Sequence, residues 1–256
     1  MADQPSSTEL LLLEKTMSRA RLESYRNNNS ESYSELIAKH FLNIALSEAL
    51  YPVLHSFEIA MRNSFYLAIA KISEADWLKN VDLNMLCPLE AQVVNNKKID
   101  LQKKTSLLSN GDLIANLGLG FWTSLTYSRY ENENKLYPKL FKDREFFPNL
   151  PKQYRTRRKL SQRFSSIHKL RNQISHHECI LNRYRLKSEY DDILEALNWI
   201  NPLLCETTKS ISRFPDVFQK RKDFCEKFVL TVGKQSQAEK VFERGKRFMT
   251  PNLRNP

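Results

Sequence analysis

The 256-residue chain is 41% hydrophobic, which suits one large domain or two small ones and excludes the composition of a disordered protein. Its 40 Lys and Arg against 29 Asp and Glu leave a formal charge of +11. Such an excess points to a polyanionic partner, nucleic acid or an acidic membrane surface, with plain solubility as the alternative. There are only 5 glycines, and neither G-x-x-x-x-G-K-[ST] nor G-x-G-x-x-G occurs, which excludes the usual nucleotide-cradling loops.

In chain order, helical periodicity dominates. A first helix is expected over 9–27, ending in the Asn-rich stretch 27–30, where Ser30 or Ser32 can cap the next helix at about 34–50. Pro52 suits the first turn of a third helix over 52–73. Residues 74–90 are mixed and break at Cys87-Pro88. A polar helix follows over 89–108. The stop at Asn110, Gly111 and Asp112, with Asp112 as a cap, leads into an apolar segment over 113–125. Gly111, Gly118 and Gly120 imply close backbone packing there. Residues 134–152 are rich in aromatics and proline and read as short helices and loops. The helix over 153–177 carries the main motif. The next, over 187–209, is expected to kink at Pro202, and a last helix runs from Phe214-Pro215 to about 229 before a basic tail. No strand pattern or internal repeat is visible, so the expected fold is all-α.

The four cysteines, Cys87, Cys179, Cys205 and Cys225, have no C-x-x-C or zinc spacing and read as thiols of a reducing compartment. The apolar run 10–13 is too short for a leader or a membrane span. A cytoplasmic protein is expected, with no membrane role beyond charge, no metal and no cofactor.

Leu160, Phe164, Ile167, Leu170 and Ile174 recur at spacings of 4, 3, 3 and 4, one buried helix face. The rest of that helix carries Arg155, Arg157, Arg158, Lys159, Arg163, Lys169 and Arg171. This basic surface suits a phosphate backbone, or is an ordinary solvated face. At 100° per residue, Asn172 and His176 lie one turn apart beside Arg171, while His177 falls toward the Leu170 and Ile174 stripe. An imidazole moves protons near neutral pH, and an arginine fork stabilises a phosphorane-like transition state. Together they suit RNA transesterification by the 2′-OH, without metal. Spacing alone equally allows a salt-bridged arginine and a polar helix end.

The segment Arg171, Asn172, Gln173, Ile174, Ser175, His176, His177, Glu178 resembles the R-N-x-[IV]-[AS]-H-[HN]-E signature of Abi-like (abortive-infection) proteins, a branch of the HEPN superfamily with an R-x4-6-H motif. Further matches in order are Phe41 to Ser47, Glu58-Ile59-Ala60-Met61-Arg62-Asn63 (Met61 where leucine is usual), Gly120-Phe121-Trp122, and Trp199-Ile200-x-Pro202. They span about 16–210, leaving 1–15 as an N-terminal extension and 211–256 as a C-terminal helical segment with a basic tail. The resemblance implies an all-α HEPN-type helical bundle with peripheral helices, forming a homodimer in which two motif helices make a composite RNA-cleaving cleft. It implies a metal-independent endoribonuclease of phage-defence or toxin type. Arg171 would stabilise the scissile phosphate, His176 would be general acid or base, and Asn172 would orient the phosphate or the imidazole. Glu58 would face the cleft and position Arg171 or His176; Glu58 and Arg62, at i,i+4, can pair, with an ordinary surface salt bridge as the alternative. His177 would be a structural support, and Arg157, Arg158, Arg163 and Lys169 of the basic face would bind RNA. Partners so implied are RNA, as substrate and as a bound small structured RNA, and an antitoxin. The alternative is a non-catalytic RNA-binding HEPN protein of a ribonucleoprotein, or an interaction or sensor module.

Overall fold

The computed structural model describes residues 12, 15–73, 76–80, 85–105, 107–131, 136–137 and 147–228. Nearly all of the predicted 1–15 extension, the stretches 132–135 and 138–146, and the tail from 229 lie outside the described residues. The helices are α1 (Arg19–Glu23), α2 (Tyr33–Ile72), α3 (Pro88–Gln102), α4 (Asn110–Asn116), α5 (Leu119–Ser124), α6 (Arg157–Ser175), α7 (Leu186–Ile200), α8 (Pro202–Ile211) and α9 (Phe214–Gln219), with residues 221–228 also helical. Among the described residues there is no strand, so the fold is all-α as expected. Among them, too, no helix is long and apolar enough to cross a membrane.

The chain divides into two compact units. One comprises the described residues of 1–49, 179–184 and 213–256. Its core is Leu22, Tyr25, Leu36 and Ile37, with Phe41, Cys179, Leu181 and Phe228 packed against it. Ser32 caps α2, its hydroxyl accepting from Glu35 N at 3.3 Å while Glu35 reaches back to Ser32 N at 2.7 Å. The buried Asn43 accepts at Oδ1 from Ile180 N, 2.8 Å away.

The other unit comprises 50–178 and 185–212 and holds the motif. Here α6 packs on α5 and α7, α7 on α8, and α3 on α4 and α5. Phe164 of α6 is completely buried among Phe57, Phe65, Phe147 and Trp199, with ring centroids 5.6 to 6.5 Å away. Trp122 meets Trp77 and Phe121 edge-on, and its indole N–H donates to Leu117 O at 3.0 Å.

Of the boundaries that local rules misplace, three have a clear physical reason. Helices expected at 34–50 and 52–73 are one helix, α2, with Pro52 inside it. An internal proline costs roughly 3 kcal/mol or more. The apolar stripe is nevertheless unbroken: Leu46, Ala49, Leu50, Val53, Leu54 and Phe57 are all buried. Burial at ~1.5–3 kcal/mol per large side chain outweighs one lost hydrogen bond and a ring clash. Conversely, the single kinked helix expected over 187–209 is two. Asn201 leaves helical geometry and caps α8, its Oδ1 accepting from Leu204 N at 2.9 Å, with Pro202 at the first position. Finally, the cap of α4 is Ser109 and not Asp112. Asp112 is the reciprocal acid of a capping box, held at 2.9 Å from Ser109 N.

One polar cluster in this unit is built around a buried carboxylate. Glu90 of α3 accepts from Arg129, and from Tyr130 Oη at 2.8 Å, and Tyr130 Oη in turn accepts from Cys87 N at 3.1 Å. Burial pushes the Glu90 carboxyl up, but hydrogen bonds from Arg129, Tyr130 and Ser124 outweigh it and hold it below its usual 4.5. A depressed carboxylate stabilises the fold above its unfolded pKa, and that stability is lost as pH falls through the folded value. Glu90→Gln should therefore cost about 1–3 kcal/mol at neutral pH. In urea titrations the gap between wild type and variant should shrink as pH drops below 4.5. A gap independent of pH would contradict this.

Candidate active site

The motif lies at the C-terminal end of α6. Thr156 starts the helix, its hydroxyl accepting from Lys159 N at 3.4 Å. Leu160, Phe164, Ile167 and Leu170 are buried as expected, while Ile174 is only half-buried. This stripe fixes the rotation of α6 and so decides where the polar residues of its last two turns stand.

Arg171 meets Glu58 of α2, Nε to Oε2 3.3 Å, with the guanidinium about a third exposed and Glu58 more covered. Its Nη1 donates to Asn172 Oδ1 in a long contact of 3.5 Å. Asn172 Nδ2 lies 3.0 Å from His168 Nε2, one turn back on the same helix. Glu58, Arg171, Asn172 and His168 thus form a continuous polar chain beside the packed face. Arg62, one turn beyond Glu58, is not paired with it. Its Nε is buried and has no hydrogen-bond partner. The resemblance put Glu58 beside Arg171 or His176, and the structure brings it to Arg171.

His176 is the residue that ends the helix, with φ −92° and ψ 8°. Its backbone N–H donates to Asn172 O at 2.9 Å and its side chain is exposed. The expected one-turn relation of His176 to Asn172 therefore holds. The expectation for His177 does not: it is exposed, with φ 57°. The reason lies in the helix end. His177 N donates to Ile174 O at 3.0 Å and Glu178 N to Gln173 O at 2.8 Å, a Schellman turn with His177 in the left-handed position. A projection at 100° per residue fails once the helix has stopped. Glycine usually fills this position; histidine is among the side chains that tolerate it, at a cost of roughly 1–2 kcal/mol.

The four cations expected to bind RNA differ in availability. Arg163 is paired with Asp192 at 2.9 Å and Glu195 at 2.8 Å, lies over the rings of Tyr154 and Trp199, and is nearly buried. Arg157 pairs with Glu131 at 2.8 Å and is largely covered. These two hold α6 to its own unit. Arg158 and Lys169 are exposed.

Spacing arguments overlooked His168, although His168 and Asn172 are four apart and the same rule that paired Asn172 with His176 applies to them. Its ring rests on α5: a Cβ added at Gly120 would lie 3.0 Å from Cε1 and 3.1 Å from Nε2 of His168. The close backbone packing expected of the three glycines is thus met at Gly120, whereas Gly118 has nothing within 4 Å. Burial, then the nearby Arg171, lowers the His168 pKa below its usual 6.5, against the opposing pull of Glu58. Set beside family models, curated proteins and solved structures, the chain matches none of them.

Proposed function

We propose that the protein is a metal-independent endoribonuclease of HEPN type, similar to Abi-like defence toxins, acting as a cytoplasmic homodimer. The observation that carries this reading is the end of α6. There a guanidinium oriented by Glu58 and Asn172 stands on the same short stretch as an exposed imidazole, with one helical turn between Asn172 and His176. Glu58 engages Nε and Asn172 takes one N–H of Nη1 in a long contact, so Nη2 and the second Nη1 hydrogen are the donors proposed to meet a phosphate.

The reaction is a transfer within the RNA. A 2′-OH loses its proton and its oxygen bonds to the adjacent phosphorus. The bond from phosphorus to the 5′-oxygen breaks, leaving a 2′,3′-cyclic phosphate, and the departing oxygen takes up a proton. His176 moves a proton in this exchange, and Arg171 faces the charge that builds on the non-bridging oxygens. Arg158 and Lys169, both exposed on α6, supply long-range attraction for the backbone, which weakens as salt rises.

The test is incubation of the purified protein with a mixed-sequence RNA in EDTA, alongside an all-DNA strand of the same sequence. RNA should be cut to products ending in cyclic phosphate, and DNA, which lacks the attacking hydroxyl, should stay intact. Cutting of both strands, or a requirement for added divalent metal, would overturn the mechanism. Retention of a defined RNA with no cleavage would favour the non-catalytic RNA-binding alternative.

A further inference from the structure

We propose that His168 is a positioning residue of this site: seated in the space left by Gly120, its ring holds the Asn172 carboxamide, which in turn steadies the Arg171 guanidinium. The inference deepens the endoribonuclease reading and rests on it. Three contacts carry the argument. Arg171 Nη1 can only donate, so the Asn172 atom facing it is Oδ1. That choice turns Nδ2, also a donor, toward His168 Nε2 at 3.0 Å. Nε2 must then accept, which fixes His168 as the neutral tautomer protonated at Nδ1. The ring sits there because residue 120 is glycine: Cε1 and Nε2 occupy the space beside α5 that a side chain would fill, so a methyl group at 120 would crowd them.

The charged groups facing His168 are Arg171 on its own helix and Glu58 on α2, and on α5 it meets the backbone of Gly120. A protonated ring would set a donor against the Asn172 donor and a cation beside Arg171. The neutral form is the one the surroundings favour, through burial first and Arg171 second. Acid that protonates His168 should therefore uncouple Arg171 from its support.

The inference is tested on the full-length protein with a mixed-sequence single-stranded RNA as probe, and by nitrogen-15 NMR of the Arg171 Nε–H. His168→Ala should lower kcat by roughly tenfold to a hundredfold with KM little changed, the size expected when a reacting group is misplaced by about 1 Å. His168→Gln, whose Oε1 can accept from Asn172, should recover most of the rate and lose the acid limb of the pH profile that His168 contributes. The Arg171 resonance should move in His168→Ala and return in His168→Gln. Should His168→Ala fail to fold, Gly120→Ala displaces the ring while keeping it, and its rate and resonance should follow the loss. Full activity in His168→Ala while His176→Ala is inactive would overturn the positioning role and leave the nuclease reading standing. Equal rates for wild type and His176→Ala would overturn the nuclease reading instead. The Arg171 resonance then decides alone: unmoved in His168→Ala, it overturns the positioning role as well.

Discussion

His176→Ala should lower RNA cleavage by about a hundredfold to ten-thousandfold, the usual worth of a positioned proton-transfer group. The fold should not change, since an exposed side chain at a helix end seldom contributes more than about 0.5 kcal/mol. Arg171→Ala should lose a comparable factor, as removal of one fixed transition-state donor costs roughly a hundredfold to a thousandfold. Arg171→Lys is the sharper variant. It keeps the charge but its single ammonium cannot hold Glu58 and Asn172 and still present a planar fork to phosphate, so it should stay far below wild type. The double variant should be little worse than either single one, because groups acting on one transition state do not add. Cleavage rates for the four proteins, with circular dichroism to check folding, decide the matter. Wild-type rates in both alanine variants would remove His176 and Arg171 from the mechanism.

What could be read from the chain divides by range. The all-α class and the buried stripe of α6 follow from the spacing of Leu160, Phe164, Ile167 and Leu170, which needs only neighbours three and four apart. The continuity of α2 through Pro52 was hidden, because a proline beside a turn-like break is locally a helix start and the burial that overrides it is tertiary. Arg157 and Arg163 looked like free cations of a basic face. Their partners, Glu131, Asp192 and Glu195, lie 26 to 32 residues away in sequence, beyond any helical pattern. The ion pair of Glu58 with Arg171 joins two distant helices; local spacing pairs Glu58 with Arg62 instead, and the family resemblance offers Arg171 only as one of two neighbours. His168 is the opposite case: its relation to Asn172 is one helical turn, within reach of the spacing rule, and only its seat beside Gly120 is tertiary. His177 itself was misjudged by extending helical angles past Ser175.

Phe164→Ala should destabilise its unit by about 3–5 kcal/mol, the range for emptying a fully buried aromatic site. The side chain has no exposure and touches four rings drawn from α2, the 147–150 turn and α7. None of these elements can close the hole without moving the others. Because the chain holds two compact units, unfolding should be followed by a probe confined to this one. Trp199, 6.5 Å from Phe164, serves. Its fluorescence midpoint in urea should fall while the slope stays constant, since the native and unfolded surfaces barely change. Lys169→Ala, on the exposed side of the same helix, should shift the midpoint by no more than about 0.5 kcal/mol. The functional consequence separates packing from chemistry. His168 is four residues beyond Phe164 and Arg171 seven, so the stripe that seats α6 also aims the polar chain. Under conditions where Trp199 still reports a folded unit, Phe164→Ala should cut RNA more slowly than wild type. An undiminished rate there would mean that Arg171 and Asn172 are aimed by Glu58 and the helix end alone, with no need of the core beneath them.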